Sequence, residues 1–419
     1  MKWFSGVFLL AVLAFALPAR AEAPDTLLRS LAAEAAENNA DIQAARREVE
    51  AARNRVSPAA ALDDPMLELG VVNLPAESLS FRKEDMTMKM IGLTQRLPYP
   101  GKRALRRDVA EKEVEAAENN LQEAVNRVQR EVKMAYFDLG QVDEMQRLVE
   151  KNRRILEQLL SIAETRYGVG QTSQADVLKA QTQVSKMLDE LIKLGRERPM
   201  IEAELNRALG RSSGVPALAP PLRPREVVLQ LAELRAAARQ SRPQLLAQQS
   251  MIARSTKQLD LARKDYYPDF DVRFSYGQRD NTVEMKREDM ISFTVAINLP
   301  VWRGSKLEPR VSEAEALREQ ASRMYQARLN EIDAMLRREV ANAEQSLKSV
   351  RLYETGILPQ ARLAVEAALS AYRVGRTDFL MLLDSQMTVF NYEQSYISNV
   401  ASQNKALAEI EFLTGKTLF

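Results

Sequence analysis

Met86, Met88 and Met90 alternate along one stretch, and that spacing puts three thioethers on one face of an extended strand. Thioethers are soft donors suited to Cu(I) or Ag(I). They also serve as gap-filling packing, and both readings stay open. Paired carboxylates occur at Asp63-Asp64 and at Asp269 with Asp271, but nothing beside them resembles a catalytic site. They read as solvated charges. The chain has no Cys and no His, which removes thiol nucleophiles, disulfides, the usual zinc sites and any Ser-His-Asp arrangement. Carboxylate, Lys or Ser-Lys chemistry stays formally open. No phosphate-binding glycine loop is present, and the expectation is a protein that is not an enzyme and carries no cofactor.

Charge excludes a second class. Lys plus Arg is 59 and Asp plus Glu is 57 over 419 residues, a formal net charge of +2. A nucleic-acid partner calls for a strongly basic face, so none is expected. Residues 1–21 read as a secretory signal peptide: Lys2 is the positive end, Gly6 to Leu17 the apolar run, and Ala19-Arg20-Ala21 the cleavage site before Glu22. That run is short for a transmembrane helix, which needs about 20 residues. Without cysteine there is no lipidated N-terminus. Export without a lipid anchor is the expectation.

The elements that position these residues come in two copies. Tyr167-Gly-Val-Gly-Gln-Thr matches Tyr372-Arg-Val-Gly-Arg-Thr, and the same offset carries Leu178 onto Leu383, Gln181 onto Gln386 and Gly210 onto Gly415. Leu97-Pro98 likewise matches Leu299-Pro300. The expected division is a first repeat over 22–213, a proline-rich linker over 214–225 and a second repeat over 226–419. Each repeat orders a helix, two strands, a very long helix and a return helix. In the first, a helix from Asp41 to Ala59 leads to strands at 66–73 and 87–97, a long helix over 102–166 and a return helix over 172–209. The second has a helix near 244–263, strands at 269–277 and 290–299, a long helix over 308–372 kinked near Gly356 and Pro359, and a return helix over 379–413. Val114, Leu121, Val128, Ala135, Val142, Val149, Leu156 and Ala163 recur every seventh residue, which means coiled-coil packing along a partner helix. A helix of about 65 residues is a rod roughly 100 Å long.

The strands alternate. Phe270, Val272, Phe274 and Tyr276 share one parity, and Ile291, Phe293, Val295, Ile297 and Leu299 another, with polar residues between. Length and pattern suit a transmembrane β-strand, with Tyr276 and Trp302 as interfacial aromatics. They also suit a half-buried soluble sheet. Four strands cannot close a barrel, and lipid does not tolerate an open edge, so spanning strands would have to be pooled. Three chains would give twelve.

This organisation resembles the TolC-type outer membrane efflux proteins. The resemblance rests on the duplicated plan, the Leu-Pro-Tyr-Pro-Gly-Lys segment over 97–102 and the two Tyr-x-Val-Gly-x-Thr turns. It implies a mainly α chain with transmembrane β: a homotrimer forming a twelve-stranded barrel in outer membrane lipid, continued by a coiled-coil α-barrel into the periplasm. It further implies a passive duct fed by an inner membrane pump of the resistance-nodulation-division class through a periplasmic adaptor. Asn73-Leu-Pro-Ala-Glu-Ser onward resembles the branch paired with cation-exporting pumps. By the same resemblance Val169, Gly170, Thr172, Val374, Gly375 and Thr377 form the tips where the adaptor docks; the residue types fit, since glycine lets the backbone turn and Thr172 or Thr377 can cap the return helix that follows. Asp176, Tyr372 and Arg376 fall at the latch of a constriction, and Asp384 at an acidic ring whose companion position is Met381. The runner-up is a periplasmic adaptor, which also joins a coiled-coil hairpin to β-structure. Two hairpins and the lack of a Gly-rich lipoyl signal count against it.

Overall fold

The computed structural model describes residues 24–212, 216–217, 221–282 and 285–418. The expected leader lies outside these residues, as do 214–215 and 218–220 of the expected linker.

Helices α1 (Pro24–Asn38) and α2 (Ala40–Ala60) come first, then strands β1 (Met66–Val72) and β2 (Met88–Leu97). The hairpin of α3 (Lys102–Gly168) and α4 (Gln174–Leu209) follows. The plan then recurs with α5 (Leu231–Ser241), α6 (Pro243–Lys264), β3 (Phe270–Gln278) and β4 (Met290–Ile297). Helices α7 (Glu308–Leu352), α8 (Leu358–Arg373) and α9 (Phe379–Thr414) close the chain.

The heptad stripe of α3 is its buried face. Val128, Ala135, Val142, Val149, Leu156 and Ala163 are all buried, while Val114 and Leu121 are partly so. Shorter helices stack end to end along it. Val49 and Ala52 of α2 meet Ala117, and Leu28 and Leu31 of α1 join Leu205 and Leu209 of α4 around Val132 and Leu139. Farther down, α4 and α9 pack on the last turns through Ala180, Met187, Leu382 and Phe390. Inside that layer the Gln386 Nε2 donates to the Asn152 side-chain Oδ1 at 2.9 Å, and the Asn152 Nδ2 lies 3.3 Å from the Met187 sulfur. A buried polar pair that bridges helices in this way fixes their register.

The second long helix is interrupted. A π-helical turn, Tyr353–Ile357, joins α7 to α8 just before Pro359, which brings no N–H to the ladder there. The helix α1 and the short α5 were not expected from sequence. Asn39 separates α1 from α2 by accepting from the N–H groups of Asp41 and Ile42, so one segment contains two helices.

The four strands form one antiparallel sheet in chain order. Leu67, Leu93, Phe274 and Phe293 align in one row across it, and Leu69, Ile91, Tyr276 and Ile291 in the next. Residues paired across a ladder share a face, so one apolar surface runs over all four strands. It is bare: Leu69 is 74% and Ile291 69% exposed. The opposite face carries Glu68, Thr94, Arg273, Ser275, Ser292 and Thr294, with Glu68 ion-paired to Arg273. Among the described residues, the outer edges of β1 and β4 have no strand partner.

Sheet meets rod at Lys102. Its buried ammonium contacts Asp269 at 2.9 Å, Asp265 at 3.3 Å and the Tyr267 carbonyl at 3.2 Å, and Asp269 also accepts from the Tyr99 N–H at 2.8 Å. The reading of Asp269 as a solvated charge is therefore corrected: its carboxylate neutralises a buried cation, which would be costly unpaired. Asp271 and Asp63-Asp64 do remain exposed.

Candidate functional site

The far end of the rod is built from the two repeated turns. Just past the ends of α3 and α8, one residue beyond the caps Val169 and Val374, stands a glycine with positive φ, +73° at Gly170 and +71° at Gly375. The hydrogen bonds repeat as well. Gly170 and Gln171 donate to the carbonyls of Tyr167 and Arg166 at 2.9 and 2.8 Å; Gly375 and Arg376 donate to those of Tyr372 and Ala371 at 3.1 and 2.9 Å. Backbone conformation dictates the glycine here, because an added Cβ would meet nothing within 4 Å at either position. Beside them Val169 and Val374 stand 66% and 68% exposed. Two apolar side chains therefore project from the tips.

The caps differ from expectation by one residue. Ser173, not Thr172, caps α4 in a reciprocal capping box with Asp176, and Asp378, not Thr377, caps α9 by accepting from the Met381 N–H at 2.9 Å. The Thr172 hydroxyl instead donates to Asp176 at 2.7 Å.

That geometry decides what Asp176 can do. Its Oδ2 accepts from Thr172, from the Ser173 hydroxyl at 2.9 Å and from the Ser173 N–H at 3.2 Å. Partial burial pushes the carboxyl up, but these hydrogen bonds together outweigh it and hold the group below its ordinary value. Tyr372 is likewise engaged within the protomer. It is 3% exposed, its ring lies edge-on to Phe379 at 5.7 Å, and the Arg166 guanidinium sits 4.3 Å from its centroid. Arg166 also donates to the Arg373 carbonyl at 2.9 Å, so one arginine joins the first hairpin to the second. Within one protomer Asp176 and Tyr372 thus form no latch with Arg376, which is exposed and has no ion-pair partner among the described residues.

Asp384 is exposed on α9 and lines a cavity of about 630 Å³ between α4 and α9. Across that cavity stand Lys179 and Lys186 of α4, with Met381 and Asp378 on its own side. Among the described residues no ion pair closes the gap, so mixed charge faces open space. Sequence reasoning missed Lys179, although a signal was present: the offset that superposes the two repeats sets Lys179 where the second repeat has Asp384. It missed Arg166 too, because nothing local to that residue announces a partner on the other hairpin.

Met88 and Met90 fall within β2 on the polar face, while Met86 precedes the strand and is exposed. Among the described residues no group of three or more His, Cys, Asp or Glu is arranged to hold a metal ion, and no helix is long and apolar enough to cross a membrane.

Comparison with known proteins bears on the whole arrangement. The chain is 23% identical over 273 residues to the multidrug resistance outer membrane protein MdtP of Escherichia coli, covering 64% of this chain and 55% of that protein. The chain thus spans little more than half the length of that curated relative. It is 24% identical over 409 residues to the cobalt-zinc-cadmium resistance protein CzcC of Cupriavidus metallidurans, covering 95% of this chain and 92% of the relative. Its fold superposes on the crystal structure of the outer membrane protein VceC of Vibrio cholerae with a TM-score of 0.79 at 17% identity, over 94% of this chain and 97% of that one. These likenesses do not support the adaptor reading. The family model for outer membrane efflux proteins matches twice, over residues 31–211 and 234–416, once for each copy of the helix–hairpin–helix plan, and the chain belongs to that family.

Proposed function

We propose that three copies of this chain assemble into a passive outer membrane efflux duct. The observation that carries the reading is the sheet: a continuous bare apolar face, a polar opposite face and two open edges on β1 and β4. Unpaired edges and exposed leucines are tolerated together only when copies close the sheet and lipid covers its outside. Twelve pooled strands form the barrel, the polar face lines its lumen, and the rods continue it into the periplasm. The two structural repeats, 22–213 and 226–419 with the linker 214–225 between them, give the trimer a pseudo-sixfold wall.

Energy comes from an inner membrane pump of the resistance-nodulation-division class, coupled through a periplasmic adaptor. The adaptor docks on the tips at Val169-Gly170 and Val374-Gly375, where apolar side chains stand free, with Thr172 and Thr377 beside them. Arg376, without an ion-pair partner among the described residues, reaches a neighbouring copy, and Asp384 contributes one carboxylate per chain to a cation-attracting ring at the constriction. Small molecules or metal ions are the cargo, in keeping with the multidrug and cobalt-zinc-cadmium resistance names of the relatives.

Outer membrane fractionation, heat-modifiable migration and planar-bilayer conductance test the reading together. An oligomer that conducts and dissociates only on boiling is the expected result. A folded monomer, soluble without detergent, would overturn it.

A further inference from the structure

The polar face of the sheet changes character at its loop-side end. Met90 pairs with Gly70 on one side and with Gly277 on the other, and Gly277 pairs in turn with Met290. Met88 lies two residues along the same face of β2. A Cβ at Gly277 would come within 2.5 Å of the Met88 sulfur, so that thioether lies over the gap between Met90 and Met290. Met88 and Met90 are half-buried and Met290 is 39% exposed. Met86 and Met285 follow, both exposed, in the two loops just beyond. Five of the chain's 16 methionines thus gather at one end of one small sheet.

Packing does not account for the choice. Methionine earns its place as a filler inside closed apolar cores, whereas these side chains share a face with serines, threonines and an ion pair. Arg273, whose Nη2 lies 3.9 Å from the Met90 sulfur, is paired with Glu68, so its charge is offset where a cation would sit. No carboxylate or imidazole cluster competes among the described residues.

We propose that Met88, Met90 and Met290 form a thioether site for a soft monovalent cation of the Cu(I) or Ag(I) class. Neutral sulfur donors select for soft ions by polarisability rather than charge, and they hold the ion without a carboxylate that would retain it. Such a site suits transient residence near the mouth of a duct, where binding must be weak enough to release. The role in transit rests on the polar face lining the lumen; the binding itself does not.

The test uses the full chain in detergent and chloride-free buffer, titrated calorimetrically with silver nitrate and, in parallel, with a zinc salt. About one Ag(I) per protomer should bind, with no zinc at this site. Replacing Met88 and Met290 together by leucine keeps side-chain volume and should weaken Ag(I) binding by about tenfold or more. Gly277→Ala retains every sulfur but displaces Met88, and should weaken it as well. Silver affinity unchanged in both variants, or no silver binding by the unsubstituted protein, would overturn the site. Bilayer conductance of the same preparations reads the duct separately. A conducting protein that ignores silver loses the site and keeps the duct, and a silver-binding protein that does not conduct does the reverse.

Discussion

Leu156 in the rod is fully buried, whereas Phe293 and Ile291 in the sheet stand 68% and 69% exposed. Both regions have regular apolar patterning, of period seven in one and two in the other. In the rod that patterning is satisfied inside one chain, because α2, α4 and α9 cover the stripe of α3. In the sheet it is not: the rows through Leu67 and Phe293 and through Leu69 and Ile291 stand exposed. Periodicity therefore states which side chains share a surface. It does not state what that surface meets, and the two regions require different surroundings.

Substitutions that treat the two surfaces as alike should expose the difference. The largest effect is expected in the rod. Leu156→Ala removes a fully buried side chain and should cost about 2–5 kcal/mol, read as a lower denaturation midpoint in detergent. Phe293→Arg puts a charge in the middle of the exposed apolar row. A lipid-facing position near the bilayer centre makes that cost about 2–4 kcal/mol, read as loss of the heat-stable oligomer from the outer membrane fraction. A water-facing position would make the change nearly silent, and the comparison would then fail.

The smallest effect is expected at the tip, where Ser173→Ala removes one half of the capping box and should cost about 1 kcal/mol. Its pH dependence follows from Asp176, whose folded-state carboxyl lies below its ordinary value. A depressed carboxyl stabilises fully above the unfolded pKa of about 3.9 and loses that contribution as pH falls through the folded value. Asp176→Asn should therefore lower the thermal midpoint at neutral pH and have little effect in acid. Equal loss at both pH values would show that the hydrogen bonds act without the charge.

Much of this architecture was legible because it is periodic. The long helix over 102–166 and the strand parities follow from spacing alone, and the structure differs there by a residue or two. What escaped was local chemistry at breaks. A run of helix formers hid the cap at Asn39, although Leu28, Leu31 and Ala35 already carry the helical spacing of α1. Thr172 and Thr377 sit in the repeated motif and drew the capping role that Ser173 and Asp378 hold one residue on. Tyr167 and Tyr372 occupy matching positions, yet one is exposed and the other buried under Arg166. Duplicated sequence does not imply duplicated environment, since each turn has a different neighbour.

By itself the sequence determined the order of the strands and of the main helices, their apolar faces and their duplication, since backbone geometry converts spacing into faces without reference to anything distant. Only the tertiary structure decided that Asp269 neutralises Lys102, that Arg166 of the first hairpin covers Tyr372 of the second, and that Met88 lies over Gly277 between two other thioethers. Those outcomes depend on which residues from remote segments meet, and hydrogen bonds and ion pairs act over a few ångströms that no interval in the chain encodes.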